Sequence, residues 1–166
     1  NSKGKYIAEC EGDDYWTDPH KLQRQIDYLE NHPECSLCFH AAEIIHAPKK
    51  PTGTRIKPYN VDRLSPIEDI ISGGGGFCPT SSLVYHKKHL ESPPKFLKET
   101  HVGDYPLQLI LSSKGSTYYM EKSMSAYRIG VKDSWSSRLT SDGNYKEKII
   151  KVHMGDIFIL ESFNEY

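Results

Sequence analysis

The chain has 166 residues, 37% hydrophobic and 26% charged, which suits a single domain with a buried core. Its 21 lysines and arginines nearly balance 22 aspartates and glutamates, for a net charge of −1. This balance argues against a nucleic-acid-binding surface. No apolar run is long enough to span a bilayer, and no signal peptide is recognisable.

The first informative segment is an acidic turn that follows a short apolar strand. The strand is Tyr6–Ala8, and Gly12 separates Glu11 from Asp13 and Asp14. Crowded carboxylates raise one another's pKa unless a cation offsets them, and a hard ion such as Mg²⁺ or Mn²⁺ prefers oxygen ligands. The sequence therefore predicts a divalent-metal site, and an acidic solvent-exposed turn is the alternative.

Spacing divides the roles within this turn. On an extended backbone, Glu11 and Asp13 are separated by about 6.6 Å. Two ligands on opposite sides of one Mg²⁺ are only about 4.2 Å apart. We therefore expect Asp13 to bind the metal and Glu11 to hold a neighbouring group such as a ribose hydroxyl.

An amphipathic helix is predicted from Asp18 to about Asn31, with Lys21, Arg24 and Asp27 facing outward. A strand over residues 34–42 should follow the stop at His32-Pro33. The apolar positions at helical spacing are Leu22, Ile26 and Leu29.

The four cysteines lack the spacing of a complete zinc site. Cys35 and Cys38 could form half of one, with His32 and His40 nearby, but no second pair follows at matching spacing. We expect buried or idle thiols in a reducing, cytoplasmic compartment, with metal or redox chemistry as the alternative.

The middle of the chain predicts an exposed loop, a helix, a glycine-rich loop and a strand. Residues 46–59 read as the loop, Ser65–Ile71 as a short helix capped by Ser65, and Thr80–Tyr85 as the strand. A phosphate-binding loop is excluded at Gly73–Gly76 because no Gly-Lys-Ser/Thr follows. We favour a flexible loop on the substrate side over a plain linker.

A helix is predicted to open at Asp104 and to end at Lys114-Gly115. Asp104 suits the capping position, and His101 is a surface histidine or a second titratable candidate. Two strands, 115–120 and 123–128, should follow. A long helix should run from Ser141 onward, either unbroken or interrupted near Gly155.

These motifs resemble family 2 glycosyltransferases of the GT-A fold. That family has a G-K-Y-I-A-type strand, a D-x-D-D turn with an aromatic pair, a K-L-x-x-Q helix and an E-D-x-x-L segment. This chain differs by Glu11 in place of the first aspartate, by Glu9 at an apolar position and by Gly103 in place of the second motif's glutamate. The matching residues are Gly4–Ala8, Glu11–Trp16, Lys21-Leu22, Gln25 and Gly103–Leu107.

The resemblance implies an α/β fold, a partial GT-A (Rossmann-like) mixed sheet flanked by helices, with a C-terminal helix. Residues 1–136 would form the acceptor-side part of the glycosyltransferase domain, and residues 137–166 a C-terminal helical segment. Because residues 1–4 resemble the tail of a family loop, we expect a fragment that lacks the N-terminal nucleotide-binding half. Such a fragment should be inactive in isolation.

The resemblance also implies a metal-dependent, inverting, hexosyltransferase-type reaction in polysaccharide or glycolipid synthesis. Asp13 would bind Mn²⁺ or Mg²⁺, Glu11 would lie near the ribose, Asp104 would be the general base, and Arg128 and Lys132 would face the diphosphate. The donor would be a nucleotide-sugar, and a UDP-sugar is the first one to test. The acceptor would be a carbohydrate or a lipid-linked sugar, which allows peripheral membrane association; a homo-oligomer stays open.

Two other classes of protein stay open. A nucleotidyltransferase would also use paired acids and a metal, but would release pyrophosphate from a reaction with a sugar phosphate. A non-catalytic interaction domain would keep the fold and bind neither metal nor nucleotide.

Overall fold

The computed structural model describes residues 3–140 and 143–166, which form a curled mixed sheet flanked by helices. The strands of these residues are Tyr6–Ala8 (β1), Tyr15–Trp16 (β2), Cys35–His46 (β3), Lys50–Ile56 (β4), Arg63–Ser65 (β5), Val84–His86 (β6) and Ser116–Ile129 (β7). Their α-helices are Lys21–Asn31 (α1), Ile67–Gly73 (α2), Asp104–Ser113 (α3), Trp135–Thr140 (α4) and Tyr145–Glu165 (α5).

The centre of the sheet is the parallel pair β3 and β7. Each of these long strands has two shorter antiparallel neighbours on its outer edge, β6 and β4 along β3, and β5 and β2 along β7. The buried first part of β3 explains its nearly continuous apolar sequence, since both faces of the strand are covered. Strands β1 and β2, which flank the acidic turn, therefore pair with separate parts of the sheet.

Alternation along β3 divides the core between two layers of helices. Leu37 and Phe39 pack with Leu111 of α3, whereas Cys38 packs with Leu29 of α1. A third cluster joins α2, α3 and α5 through fully buried Ile159. Helix α5 therefore packs on the body of the protein.

The predicted strand Tyr6–Ala8 and the predicted helix from Asp104 are confirmed, and the strand after His32-Pro33 runs on to His46. The predicted loop over residues 46–59 is wrong, because Lys50–Ile56 forms β4 and pairs with the end of β3. This strand is exposed and polar and carries Pro51 and Gly53, so its sequence resembles that of a loop.

Other boundaries are corrected by tertiary contacts. The two predicted strands over 115–128 form one strand, β7, which pairs with β3 through Ser116–Met120 and again through Ser125–Ile129, on either side of an irregularity. Helix α1 begins at Lys21, since Asp18 accepts hydrogen bonds from two following backbone N–H groups instead of opening the helix. Thr80–Ser82 is a 3₁₀ turn before β6.

The remaining helix predictions also need correction. Ser65 lies in β5 and Pro66 precedes α2, so Ser65 is not the cap. Helix α5 continues through Gly155 without a break. The predicted start at Ser141, like Asn1 and Ser2 of the predicted loop tail, lies outside the described residues. None of the described helices is both long and apolar enough to cross a membrane.

Candidate functional site

A cavity of about 810 Å³ lies where the acidic turn, the glycine loop and the start of α3 meet the C-terminal helices. Glu11 and Asp104, which belong to different sequence motifs, both line it. The structure thus brings together two acids that the sequence singled out separately. The other polar lining side chains include Glu9, Thr80, His101, Tyr127, Arg138 and Asp156.

The acidic turn is held in place by the end of β7. The Asp14 backbone N–H donates to the Glu11 carbonyl at 3.1 Å, and one carboxylate oxygen of Asp14 accepts from the Arg128 backbone N–H at 2.9 Å. The Arg128 Nε donates to the Asp13 carbonyl. Asp14 and Arg128 therefore shape the turn that presents Glu11 to the cavity.

Glu11 experiences both desolvation and neighbouring negative charge. Burial is the main cause that raises the pKa of its carboxyl, and the negative charges of Asp14, Asp104 and Asp13 raise that pKa further. A cation or a hydroxyl donor beside Glu11 would relieve this repulsion. The acidic side of the cavity thus favours a ligand with positive charge or hydrogen-bond donors.

Asp104 is the first residue of α3, where one carboxylate oxygen accepts the Tyr105 backbone N–H at 2.9 Å. Burial nevertheless raises the pKa of the Asp104 carboxyl, against the effect of this hydrogen bond and of His101. A carboxyl whose pKa is raised toward neutrality is better suited to accept a proton.

The glycine-rich loop Gly73–Gly76 packs beside Asp104 and is held in place by hydrogen bonds from α3. The fully buried Gln108 side chain donates to the carbonyls of Gly75 and Cys78 at 3.2 and 3.1 Å. A methyl group added at Gly75 would lie 3.8 Å from an Asp104 carboxylate oxygen. The loop therefore forms a wall of the cavity beside this carboxylate, and its place on a substrate side stays a prediction.

Helix α5 also contributes to the wall of the cavity, through Val152 and Asp156. Its Asp156 carboxylate lies 3.6 Å from His101 Nε2, close enough for an ion pair when the histidine is protonated. The His101 ring packs directly on Gly155, where any β-carbon would overlap the ring. Gly155 is thus a site of close approach, not the helix break that its sequence suggested.

The prediction that Lys21 faces outward is wrong. Lys21 is 1% exposed, and its Nζ lies 4.6 Å from the centre of the Trp16 ring. The Trp16 indole N–H donates to the Ser81 carbonyl at 3.0 Å, next to Thr80 in the cavity wall. Lys21 therefore supports the aromatic end of the acidic turn from beneath.

The other predicted site residues lie beside the cavity instead of on its wall. Asp13 and Arg128 are half-buried and are joined to each other through the Asp13 carbonyl. Lys132 is exposed in the turn after β7. The roles predicted for Asp13 and Arg128 stay predictions.

Sequence reasoning missed the residues that α4 and α5 contribute to the cavity, such as Trp135 and Asp156. Only Gly155 gave a signal, because a glycine inside a long helix often marks a close approach. Glu9 differs from the glycosyltransferase pattern that the sequence resembles, yet it lines the cavity and accepts a 2.6 Å hydrogen bond from the Tyr85 hydroxyl.

The described residues contain no group of three His, Cys, Asp or Glu side chains arranged to hold a metal ion. A single carboxylate can still contribute one ligand to a metal that a diphosphate also binds. A divalent cation would offset the repulsion between Glu11 and the neighbouring carboxylates, so the residues present suit such an ion. Cys35 and Cys38 are buried free thiols, as predicted, and burial raises the pKa of Cys35 to about 11.

Comparison with known proteins leaves the function open. No family model matches the chain. Uncharacterized proteins from Mycobacterium bovis and from two strains of Mycobacterium tuberculosis are each 30% identical to it over 146 residues. The match covers 88% of this chain and 41% of each relative, so the chain spans less than half the length of these relatives.

Proposed function

We propose that the chain is the acceptor-side part of a family 2 glycosyltransferase domain of the GT-A fold. It would transfer a sugar from a nucleotide-sugar to a hydroxyl acceptor with inversion, in polysaccharide or glycolipid synthesis. The observation that carries the proposal is the meeting of Glu11 and Asp104, from two separate motifs, on one large cavity.

Asp104 has the properties that the reaction needs in a general base. In an inverting transfer the acceptor oxygen forms the new bond to the sugar carbon while the bond to the diphosphate breaks. The acceptor hydroxyl proton passes to a carboxylate. Asp104 lies beside the glycine loop, and burial raises its carboxyl pKa, which increases its basicity once it is ionised. Its carboxylate would take that proton.

The acidic turn would face the donor. A bound Mn²⁺ or Mg²⁺ would neutralise charge on the leaving diphosphate. Asp13 is proposed as its ligand and Glu11 as the residue nearer the ribose, with Arg128 toward the diphosphate. Glu11 is the one of these three that lines the cavity, so Asp13→Ala and Glu11→Gln should be compared directly.

Titration calorimetry of UDP in the presence of Mn²⁺ tests the donor site, on this chain and on the longer protein that contains it. We expect binding by the longer protein that requires metal and is lost in Asp13→Ala or Glu11→Gln. Glu68→Gln, an exposed acid on α2, is the matched control and should bind normally. Absence of UDP binding, with other nucleotides also silent, would favour a non-catalytic domain.

Turnover tests the base separately from the donor site. Asp104→Asn in the longer protein should keep UDP binding but lose at least about a hundredfold in sugar transfer, the lower range for general-base catalysis. Normal turnover by this variant would refute the role of Asp104. Release of pyrophosphate instead of a nucleoside diphosphate would favour the nucleotidyltransferase alternative.

A further inference from the structure

Trp135 gives the cavity an aromatic wall that the roles proposed for Glu11 and Asp104 leave unused. Its side chain is 46% exposed and lines the cavity together with Val152 and Asp156 of α5. An indole ring that is open to a cavity offers a ligand a large, rigid and flat apolar surface. A cavity that joins such a surface to a few polar groups is the usual form of a small-molecule site.

Local structure fixes the position of Trp135 at the start of α4. The hydroxyl of the buried Ser134 side chain accepts a hydrogen bond from the Ser137 backbone N–H at 3.2 Å, which caps the helix. The Ser134 carbonyl accepts from the Arg138 backbone N–H at 3.0 Å, so the first turn of the helix is closed. Trp135 therefore belongs to an ordered turn that presents its ring to the cavity.

The charges on the cavity wall favour an uncharged ligand beside the indole ring. Arg138 follows Trp135 by three residues, so both side chains lie on one face of α4, and both line the cavity. The guanidinium disfavours a cation stacked on the ring, whereas the carboxylates on the same wall disfavour an anion. A neutral ligand with hydroxyl groups can donate hydrogen bonds to these carboxylates and accept them from the arginine. The carboxylates are those of Glu9, Glu11, Asp104 and Asp156.

We propose that Trp135 is the stacking surface of a subsite for an uncharged pyranose ring. A pyranose with equatorial hydroxyls presents only C–H groups on its two faces, and these weakly positive hydrogens suit the negative face of an indole ring. Its hydroxyls lie at the rim of the ring, where the polar groups of the cavity wall can bind them. The assignment of this ring to the acceptor rests on the proposed glycosyltransferase function, whereas the binding of the ring itself does not.

Saturation-transfer NMR with methyl β-D-glucopyranoside tests the subsite without any sugar transfer, on this chain and on the longer protein that contains it. We expect a dissociation constant on the order of millimolar for a neutral ligand of this size. Trp135→Ala should weaken binding at least about tenfold, because it removes the stacking surface. Trp135→Tyr keeps an aromatic face and should stay within about threefold of wild type. Phe158→Ala removes a similarly exposed aromatic side chain of α5 and is the matched control, which should bind normally.

Charged probes test the preference for an uncharged ligand. Choline is the cationic probe and methyl β-D-glucuronide the anionic one, and each should bind more weakly than the glucoside. Tighter binding of either would overturn the proposal, as would a wild type that does not bind the glucoside at about 100 mM. Unchanged binding by Trp135→Ala would overturn it as well. Urea denaturation checks that this variant is folded, and the retained affinity of Trp135→Tyr serves as a second test of stacking.

UDP binding in the presence of Mn²⁺ separates this subsite from the proposed function. A protein that binds UDP but not the glucoside would keep the glycosyltransferase proposal and refute the subsite. Binding of the glucoside through Trp135 without binding of any nucleotide would support the subsite. It would also replace the glycosyltransferase proposal with a carbohydrate-binding domain.

Discussion

Replacement of Lys21 by methionine should stabilise the protein at neutral pH. Lys21 is 1% exposed, and its Nζ has no hydrogen-bond partner among the described residues. Burial lowers the pKa of the ammonium from 10.5 to about 8, which corresponds to a cost of about 3 kcal/mol for the buried charge. The contact with Trp16 returns about 0.5–2 kcal/mol. Methionine has a similar shape and no charge, so we expect a gain of about 1–3 kcal/mol.

The pH dependence provides a sharper measurement than the gain itself. Below pH 8 Lys21 is protonated in both states, and the folded wild type bears the full cost. Between pH 8 and 10.5 the unfolded chain binds more protons than the folded one, so this lysine's contribution makes the wild type more stable as pH rises. The advantage of Lys21→Met should therefore be largest at pH 7 and shrink toward pH 10.5.

Urea denaturation of both proteins across this pH range measures the effect. Lys98→Met, at an exposed position, is the matched control and should lie within about 0.5 kcal/mol of wild type at every pH. A Lys21→Met protein that is less stable at pH 7 would refute the reasoning, since it would mean that the ammonium has a favourable partner. A difference that does not change with pH would refute it as well.

Two glycine substitutions test close approaches by the same urea assay. Gly155→Ala should cost about 1–2 kcal/mol through overlap with the His101 ring, although alanine is the better helix former. With His101→Ala present, the same change should instead be neutral or stabilising, and equal effects in both backgrounds would contradict the packing. Gly115→Ala should cost about 1–3 kcal/mol because its β-carbon would overlap the backbone of Glu34, whereas Gly12→Ala, with open space around it, should stay within about 0.5 kcal/mol.

The predictions of helices and strands are correct where the local sequence pattern agrees with the burial that tertiary packing imposes. Strand β3 is apolar because both its faces are buried, and α3 has an apolar sequence between clear stops. The prediction for β4 is wrong because pattern and packing disagree there. Strand β4 is an exposed edge strand whose polar side chains, proline and glycine are typical of a loop. Pairing with β3 overrides its local preference.

The candidate site was predictable in part, for the same physical reason. Glu11 and Asp104 could be named because each follows a recognisable turn or helix start. Their meeting on one cavity depends on how β1, β6 and β3 bring the acidic turn against α3. The prediction for Lys21 is wrong because a lysine beside polar helix positions is typical of an exposed surface. Its burial depends on the packing of Trp16 against it, which the sequence does not show.

The stability of the Asp104→Asn variant distinguishes a structural role of Asp104 from a catalytic one. An acid in the first turn of a helix ordinarily stabilises by about 0.3–1 kcal/mol, so a purely structural Asp104 predicts that Asp104→Asn loses stability. Burial raises the Asp104 pKa despite its hydrogen bond from Tyr105, which means that the ionised form is disfavoured in the folded state. We therefore expect Asp104→Asn to gain stability at pH 7.

The sign of the pH dependence distinguishes the two roles without any substrate. Between the ordinary aspartate pKa of 3.8 and the raised folded-state value, the folded wild type binds more protons than the unfolded chain. The contribution of Asp104 to stability thus falls as pH rises through that window, and the advantage of Asp104→Asn should grow as pH rises above about 4 and level off once pH exceeds the folded-state pKa. Glu68→Gln, a first-turn acid on exposed α2, should show no such gain. If Asp104→Asn is instead destabilised to the same extent as Glu68→Gln, Asp104 serves the helix. A gain in stability joined to a loss of sugar transfer is the pattern of a residue held at a cost for chemistry.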